Sequence, residues 1–172
     1  MKSLIGFVAV VLLSSPLFSQ NQVTLPPAAC GDVPVSMAVS LDSSPHSVEP
    51  PEPGKARIYF IQDTGQWITV AYPTTKIGID GKWVGANKKD SYFSVSVDPG
   101  EHHICAAIQS SFILGRREMA HLTAEAGKIY FYRTRILYSR DGPEYFSLLA
   151  ADSDEAQYLI ESFPRATAHA RK

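Results

Sequence analysis

Tyr92-Phe93-Ser94-Val95-Ser96-Val97-Asp98-Pro99-Gly100-Glu101-His102-His103-Ile104-Cys105-Ala106-Ala107 is the stretch that decides the fold class. Phe93, Val95 and Val97 alternate with Ser94 and Ser96, the period of two of a strand with one face against a core. Pro99-Gly100 then turns the chain, proline with its preset φ and glycine with its tolerance of positive φ. The next strand runs from His102 to Gln109. If the turn closes a two-residue hairpin, Val97 faces His102, Val95 faces Ile104 and Phe93 faces Ala106 on one apolar face. Ser94, Ser96, His103, Cys105 and Ala107 then share the other face.

The same pattern extends in both directions. Short strands are expected at Ala56–Gln62, Trp67–Tyr72, Thr75–Asp80, Lys82–Gly85, Ala120–Ala124, Ile129–Leu137 and Tyr145–Ala150. Asp80-Gly81 is a hairpin signal, since both central residues of a type I′ turn need positive φ. One helix is expected after the strands. Asp152 with Glu155 three residues on has the form of a capping box, and Ala156, Leu159, Ile160 and Phe163 make one apolar stripe that Pro164 ends. Many short strands with regular turns predict a mainly β fold, an antiparallel β-sandwich with one C-terminal α-helix.

Residues 20–53 hold seven of the twelve prolines. Within them Val35, Met37, Val39 and Leu41 alternate with small or polar residues as a strand would. The expected organisation is a signal peptide over 1–19, a Pro-rich segment with one strand over 20–53, the sandwich and its helix over 54–164, and a loose tail over 165–172.

The signal peptide rests on Lys2, the apolar run Leu4–Leu13, the break at Ser14–Pro16 and the small Ser19. The run is shorter than the ~20 residues that a spanning helix needs. The expected location is therefore the periplasm, the outer envelope or the extracellular space. Without residues 1–19 the chain has fifteen Lys and Arg against seventeen Asp and Glu, a net charge of −2. That leaves no basic excess for phosphate contacts, so nucleic acid is not an expected partner. In an oxidising compartment the two cysteines, Cys30 and Cys105, are expected to form a disulfide, which would strap the Pro-rich N-terminus over the second sheet face.

Three stretches carry a family resemblance: Gly54-Lys55-Ala56-Arg57-Ile58-Tyr59-Phe60-Ile61, Ile79-Asp80-Gly81-Lys82-Trp83-Val84-Gly85, and Tyr92-Phe93-Ser94-Val95 running into Asp98-Pro99-Gly100-Glu101-His102. With Ala124-Glu125-Ala126-Gly127-Lys128-Ile129-Tyr130 they resemble the bacterial family named domain of unknown function 2846, over roughly Gly54 to Ala151. The middle portion also resembles PEGA-type modules in its hairpin and its Pro-Gly-Glu-His turn. The resemblance implies an exported β-sandwich, frequently a lipoprotein, with no established activity and no catalytic residues. Here Pro27 stands where a lipid-attachment motif has its leucine before Cys30, so the resemblance leaves membrane attachment open.

Other chemistry finds few parts. His102, His103, Cys105 and His121 suggest a metal site, but zinc needs three or four ligands, and a disulfide-bonded Cys105 is not one. No Gly-x-Ser-x-Gly elbow is present, and Asp63, Asp80, Asp90 and Asp98 sit at turns, where aspartate serves the backbone. Trp67, Tyr72 and Trp83 form a candidate ligand surface that could stack on sugar rings, though aromatics in a small domain are more often packing. Phe112-Ile113-Leu114 beside Arg116-Arg117 reads as a continuing strand or an apolar loop tip. The expectation is an exported non-enzymatic envelope domain without catalytic residue, metal or cofactor. Its expected partner is an envelope protein, or cell-wall glycan in the ligand-binding alternative; a metal-dependent activity ranks last.

Overall fold

The computed structural model describes residues 29–31, 34–64, 73–109, 116–139 and 142–171. Its elements are β1 (Met37–Asp42), β2 (Ala56–Thr64), β3 (Thr74–Ile79), β4 (Lys82–Lys88), β5 (Ser91–Val97), β6 (Gly100–Gln109), β7 (Arg117–Ala124), β8 (Ile129–Ser139), β9 (Gly142–Ala150), α1 (Ser153–Ser162) and β10 (Arg165–Ala170). Two sheets result, one in the order β1-β10-β5-β2-β8-β9 and one in the order β4-β3-β6-β7. The signal peptide, the strand expected at Trp67–Tyr72 and the Phe112–Leu114 stretch lie outside the described residues.

The mainly β class and the closing helix are as expected, and three expectations are corrected. The six-stranded sheet is mixed, because β2 runs parallel to β8 and β10 parallel to β5, while the remaining pairs are antiparallel. The sequence of β2 carries the reason. Ile58 and Phe60 enter the core between the sheets, and Tyr59 and Ile61 enter a second cluster on the outer face under α1. A strand buried on both faces reads as a continuous apolar run, the habit of strands in covered parallel sheets.

The second correction concerns the turn at Pro99-Gly100. β5 and β6 form no hairpin: β5 pairs with β2, Val95 opposite Ile58, and β6 pairs with β3 and β7. A Pro-Gly turn splays the strands it joins, and here Asp98-Pro99-Gly100 carries the chain from one sheet to the other, with Gly100 at φ 136°. Face assignment survives the change of partner. Phe93, Val95, Val97, Ile104 and Ala106 all face the shared core. Ser94 and Ser96 lie on the outside of one sheet, and His103, Cys105 and Ala107 on the outside of the other.

The third correction is the loose tail. Arg165–Ala170 forms β10, which pairs along its whole length with β1, Met37 opposite Ala170 through to Asp42 opposite Arg165. β1, the strand expected in the Pro-rich segment, thus gains its ladder partner among the described residues from their far end.

At Asp80-Gly81 the structure has the I′ geometry the dipeptide predicts, φ 48° and 79°. A bulge follows: Gly78 pairs with Trp83 and Ile77 with Gly85, leaving Val84 as the extra residue. This sends Trp83 outward while Gly85 turns to Phe93 in the core, although the two stand only two residues apart. Asp152 caps α1 by accepting from the N–H groups of Asp154 and Glu155. Ala156 and Ile160 then pack on Tyr59, Ile61 and Tyr92.

Candidate functional site

Two surfaces concentrate the polar and aromatic chemistry. The first is the outer face of the four-stranded sheet, over which residues 29–31 and 34–35 are fastened. Cys30 is bonded to Cys105, and both are buried with Ala29 and Ala107 against Trp83. Gly78, opposite Cys105 on β3, lets the segment pass: a Cβ there would lie 2.8 Å from the Ala29 carbonyl oxygen. Lys76 Nζ donates to the Val35 carbonyl at 2.8 Å and lies 4.2 Å from the centre of the Trp83 ring. Burial, and then the nearby Arg117 charge, hold the Lys76 ammonium below its ordinary range. Gln109 closes the strap, accepting from Met37 N–H at 2.6 Å and donating to the Met37 carbonyl at 3.0 Å.

Among the three aromatics singled out in the sequence, Trp67 and Tyr72 lie outside the described residues. Trp83 is placed in the packing of the strap, edge against Gly31 and ring under Lys76. Of that candidate surface the described residues include Trp83 alone. The cysteine pairing is the one expected, and the bond points to an oxidising, extracytoplasmic setting. No helix among the described residues is long and apolar enough to cross a membrane.

His102 serves the turns, and His103 and His121 form a cross-strand pair. His102 lies between Asp80 and Asp98, and His103 stacks edge-on with His121, ring centres 5.3 Å apart. Among the described residues no group of three or more His, Cys, Asp or Glu has a geometry that could hold a metal ion.

The second surface was not singled out in the sequence. On the outer face of β8 and β9, beyond the edge of α1, Arg133, Arg135 and Leu137 stand opposite Leu149, Ser147 and Tyr145. They line a shallow groove of about 410 Å³ with Glu155 and the Ala150–Ala151 main chain. Leu137, Tyr145 and Leu149 are 38 %, 44 % and 59 % exposed. Arg133 is paired with Glu155, and Arg135 reaches Asp63 through Nε at 3.7 Å with 46 % of its side chain exposed. A signal for this surface does exist in the sequence: Tyr145-Phe146-Ser147-Leu148-Leu149 has apolar residues on both parities of an edge strand, whose outer face has nothing local to cover it.

The fold and fastening define a class, a two-sheet β domain with a disulfide-strapped face and a helix laid on the other side. The chain belongs to the family DUF2846, described as a protein of unknown function, whose profile matches residues 52–145. The match takes in Cys105 but leaves Cys30, β1, α1 and β10 outside it. No curated protein and no solved structure matches the chain.

Proposed function

We propose that this chain is an exported, non-enzymatic envelope domain that binds another envelope protein through the outer face of β8 and β9. The observation that carries the reading is the exposed row of Leu137, Tyr145 and Leu149 in register with two arginines. Isolated apolar residues on a surface need no explanation, but three that line one groove together with arginines have the pattern of an interaction site. The guanidinium of Arg135, half in solvent, favours a partner carrying carboxylates beside its apolar contacts. The disulfide supports the exported setting, because such bonds persist in oxidising compartments. The non-enzymatic part is supported by where Asp80 and His102 direct their polar atoms, to each other and to the main chain of β6 and of the β5–β6 connection, neither of them lining the groove.

A photo-crosslinking residue at Tyr145, compared with one at Thr123 on exposed β7, tests the reading in cells that make the protein. The expected result is a discrete protein adduct at Tyr145 alone, lost in Leu149→Asp while the melting temperature is unchanged. Adducts of equal strength at both positions, or none at either, would reject it. An adduct removed by a glycan hydrolase and untouched by protease would favour the glycan-binding alternative instead.

A further inference from the structure

His102 is the third residue of β6, close to the connection that joins the two sheets, and its side chain is only 12 % exposed. Its ring sits between two acceptors, Nδ1 2.7 Å from Asp80 Oδ2 and Nε2 2.8 Å from the Asp98 carbonyl oxygen. A carbonyl oxygen can only accept, and so can an ionised carboxylate. Both contacts are hydrogen bonds only when both ring nitrogens carry hydrogen; a neutral imidazole has one N–H and leaves one contact as two facing lone pairs. From this geometry we propose that His102 is held as an imidazolium that clasps the β3–β4 turn to the β5–β6 connection, and that this end of the sandwich loosens as pH rises through its titration.

The surrounding groups fit that charge state. Asp80 binds the β6 main chain in both directions, its N–H donating to the His103 carbonyl at 3.0 Å and its Oδ1 accepting from His103 N–H at 2.8 Å. Its other oxygen is left for His102. Asp98 is itself paired with Lys55, ahead of β2, at 2.5 Å. On its own strand, the His103 ring lies 3.9 Å from Asp80 Oδ1. From β7 the residue opposite His102 is the apolar Leu122, with His121 next in line. An imidazolium therefore balances two cations, His102 and Lys55, against two carboxylates, Asp80 and Asp98; a neutral ring leaves Asp80 without that cation.

Burial pushes the His102 ring down, but the Asp98 carbonyl and the Asp80 carboxylate outweigh it and hold the ring above the ordinary value of 6.5. A group raised in the folded state stabilises fully below its unfolded value and loses that contribution as pH climbs through the folded one. The clasp is thus complete in mildly acidic solution and releases on the alkaline side.

Imidazole nitrogen resonances of the full chain followed over pH test this, with the His102 signals assigned by their loss in His102→Asn. The expected result is a midpoint above 6.5 with both nitrogens protonated at mildly acidic pH, and a return towards 6.5 in Asp80→Asn. Protection of the His103 amide should fall across the midpoint, about tenfold for each unit by which it exceeds the unfolded value. A wild-type midpoint at or below 6.5 overturns the imidazolium. Protection that does not fall across a raised midpoint overturns the loosening. Both measurements use the wild-type chain, so they decide the matter even if a variant fails to fold.

Discussion

A Cβ placed on Gly78 would meet the Ala29 carbonyl oxygen at 2.8 Å and Cys30 Cα at 3.2 Å, both main-chain atoms of a covalently held segment. Neither can swing aside as a side-chain tip would, so the strap must lift or β3 must shift. Overpacking of this kind costs about 1–3 kcal/mol, and Gly78→Ala is expected to lower stability by that order in urea unfolding. In the Cys30→Ala/Cys105→Ala background the strap is free to lift, and the same substitution should cost less. An equal cost in both backgrounds would show that the strap is not what Gly78 accommodates. Nothing local in the sequence shows what Gly78 accommodates. Gly81 sits in a turn that its own dipeptide specifies, whereas Gly78 answers to residues about fifty positions away.

At the scale of elements, α1 shows how far a local signal reaches. The Asp152 cap, the apolar stripe and the stop at Pro164 were all legible, because each acts within one or two turns. The second half of the capping box was not made: the Glu155 side chain turns to Arg133 on β8, a partner only the packed sheet provides. Asp152→Ala is expected to cost about 1 kcal/mol through the lost cap. Ile160→Ala, which empties a fully buried contact with Tyr59 and Ile61, should cost about 2–5 kcal/mol. Denaturant midpoints of the two variants check the order, and a larger loss for Asp152→Ala would mean that packing on the sheet is not what holds the helix. β10 illustrates the opposite case. Arg165-Ala166-Thr167-Ala168-His169-Ala170 buries only Ala166 and carries weak strand propensity, so its extended form comes from the ladder with β1.

For the whole molecule, the Cys30–Cys105 bond closes 75 residues of chain. On the chain-entropy view such a loop contributes roughly 4 kcal/mol. Reduction, or Cys30→Ala/Cys105→Ala, is expected to lower the urea midpoint accordingly; an unchanged midpoint would mean the strap adds nothing to the fold. Stability should also pass through a maximum with pH. On the acid side, burial pushes Asp80 up, but the His103 N–H and His102 hold its carboxyl below 3.8 overall, so its contribution is present above 3.8 and is lost as pH falls through the folded value. On the alkaline side the raised His102 is lost as pH climbs through its folded value. Melting temperature across pH should therefore peak between the carboxylate and histidine ranges, and Asp80→Asn should flatten both limbs. A wild-type profile without an alkaline decline would contradict this.

The amino-acid sequence by itself determined what short-range physics controls: the alternation that assigns Phe93, Val95, Ile104 and Ala106 inward, the Asp80-Gly81 turn, the cap of α1, and, through cysteine number and compartment, the pairing of Cys30 with Cys105. Which strand lies beside which was decided by the tertiary structure. Alternation specifies the face that a strand buries but not its neighbour, so β5 and β6 left the expected hairpin for separate sheets, β2 took a parallel partner in β8, and the tail became β10. The same long-range pairing placed Leu137 beside Tyr145 and His102 between Asp80 and Asp98. Surfaces and clasps made of residues from different strands exist only once the sheets have assembled.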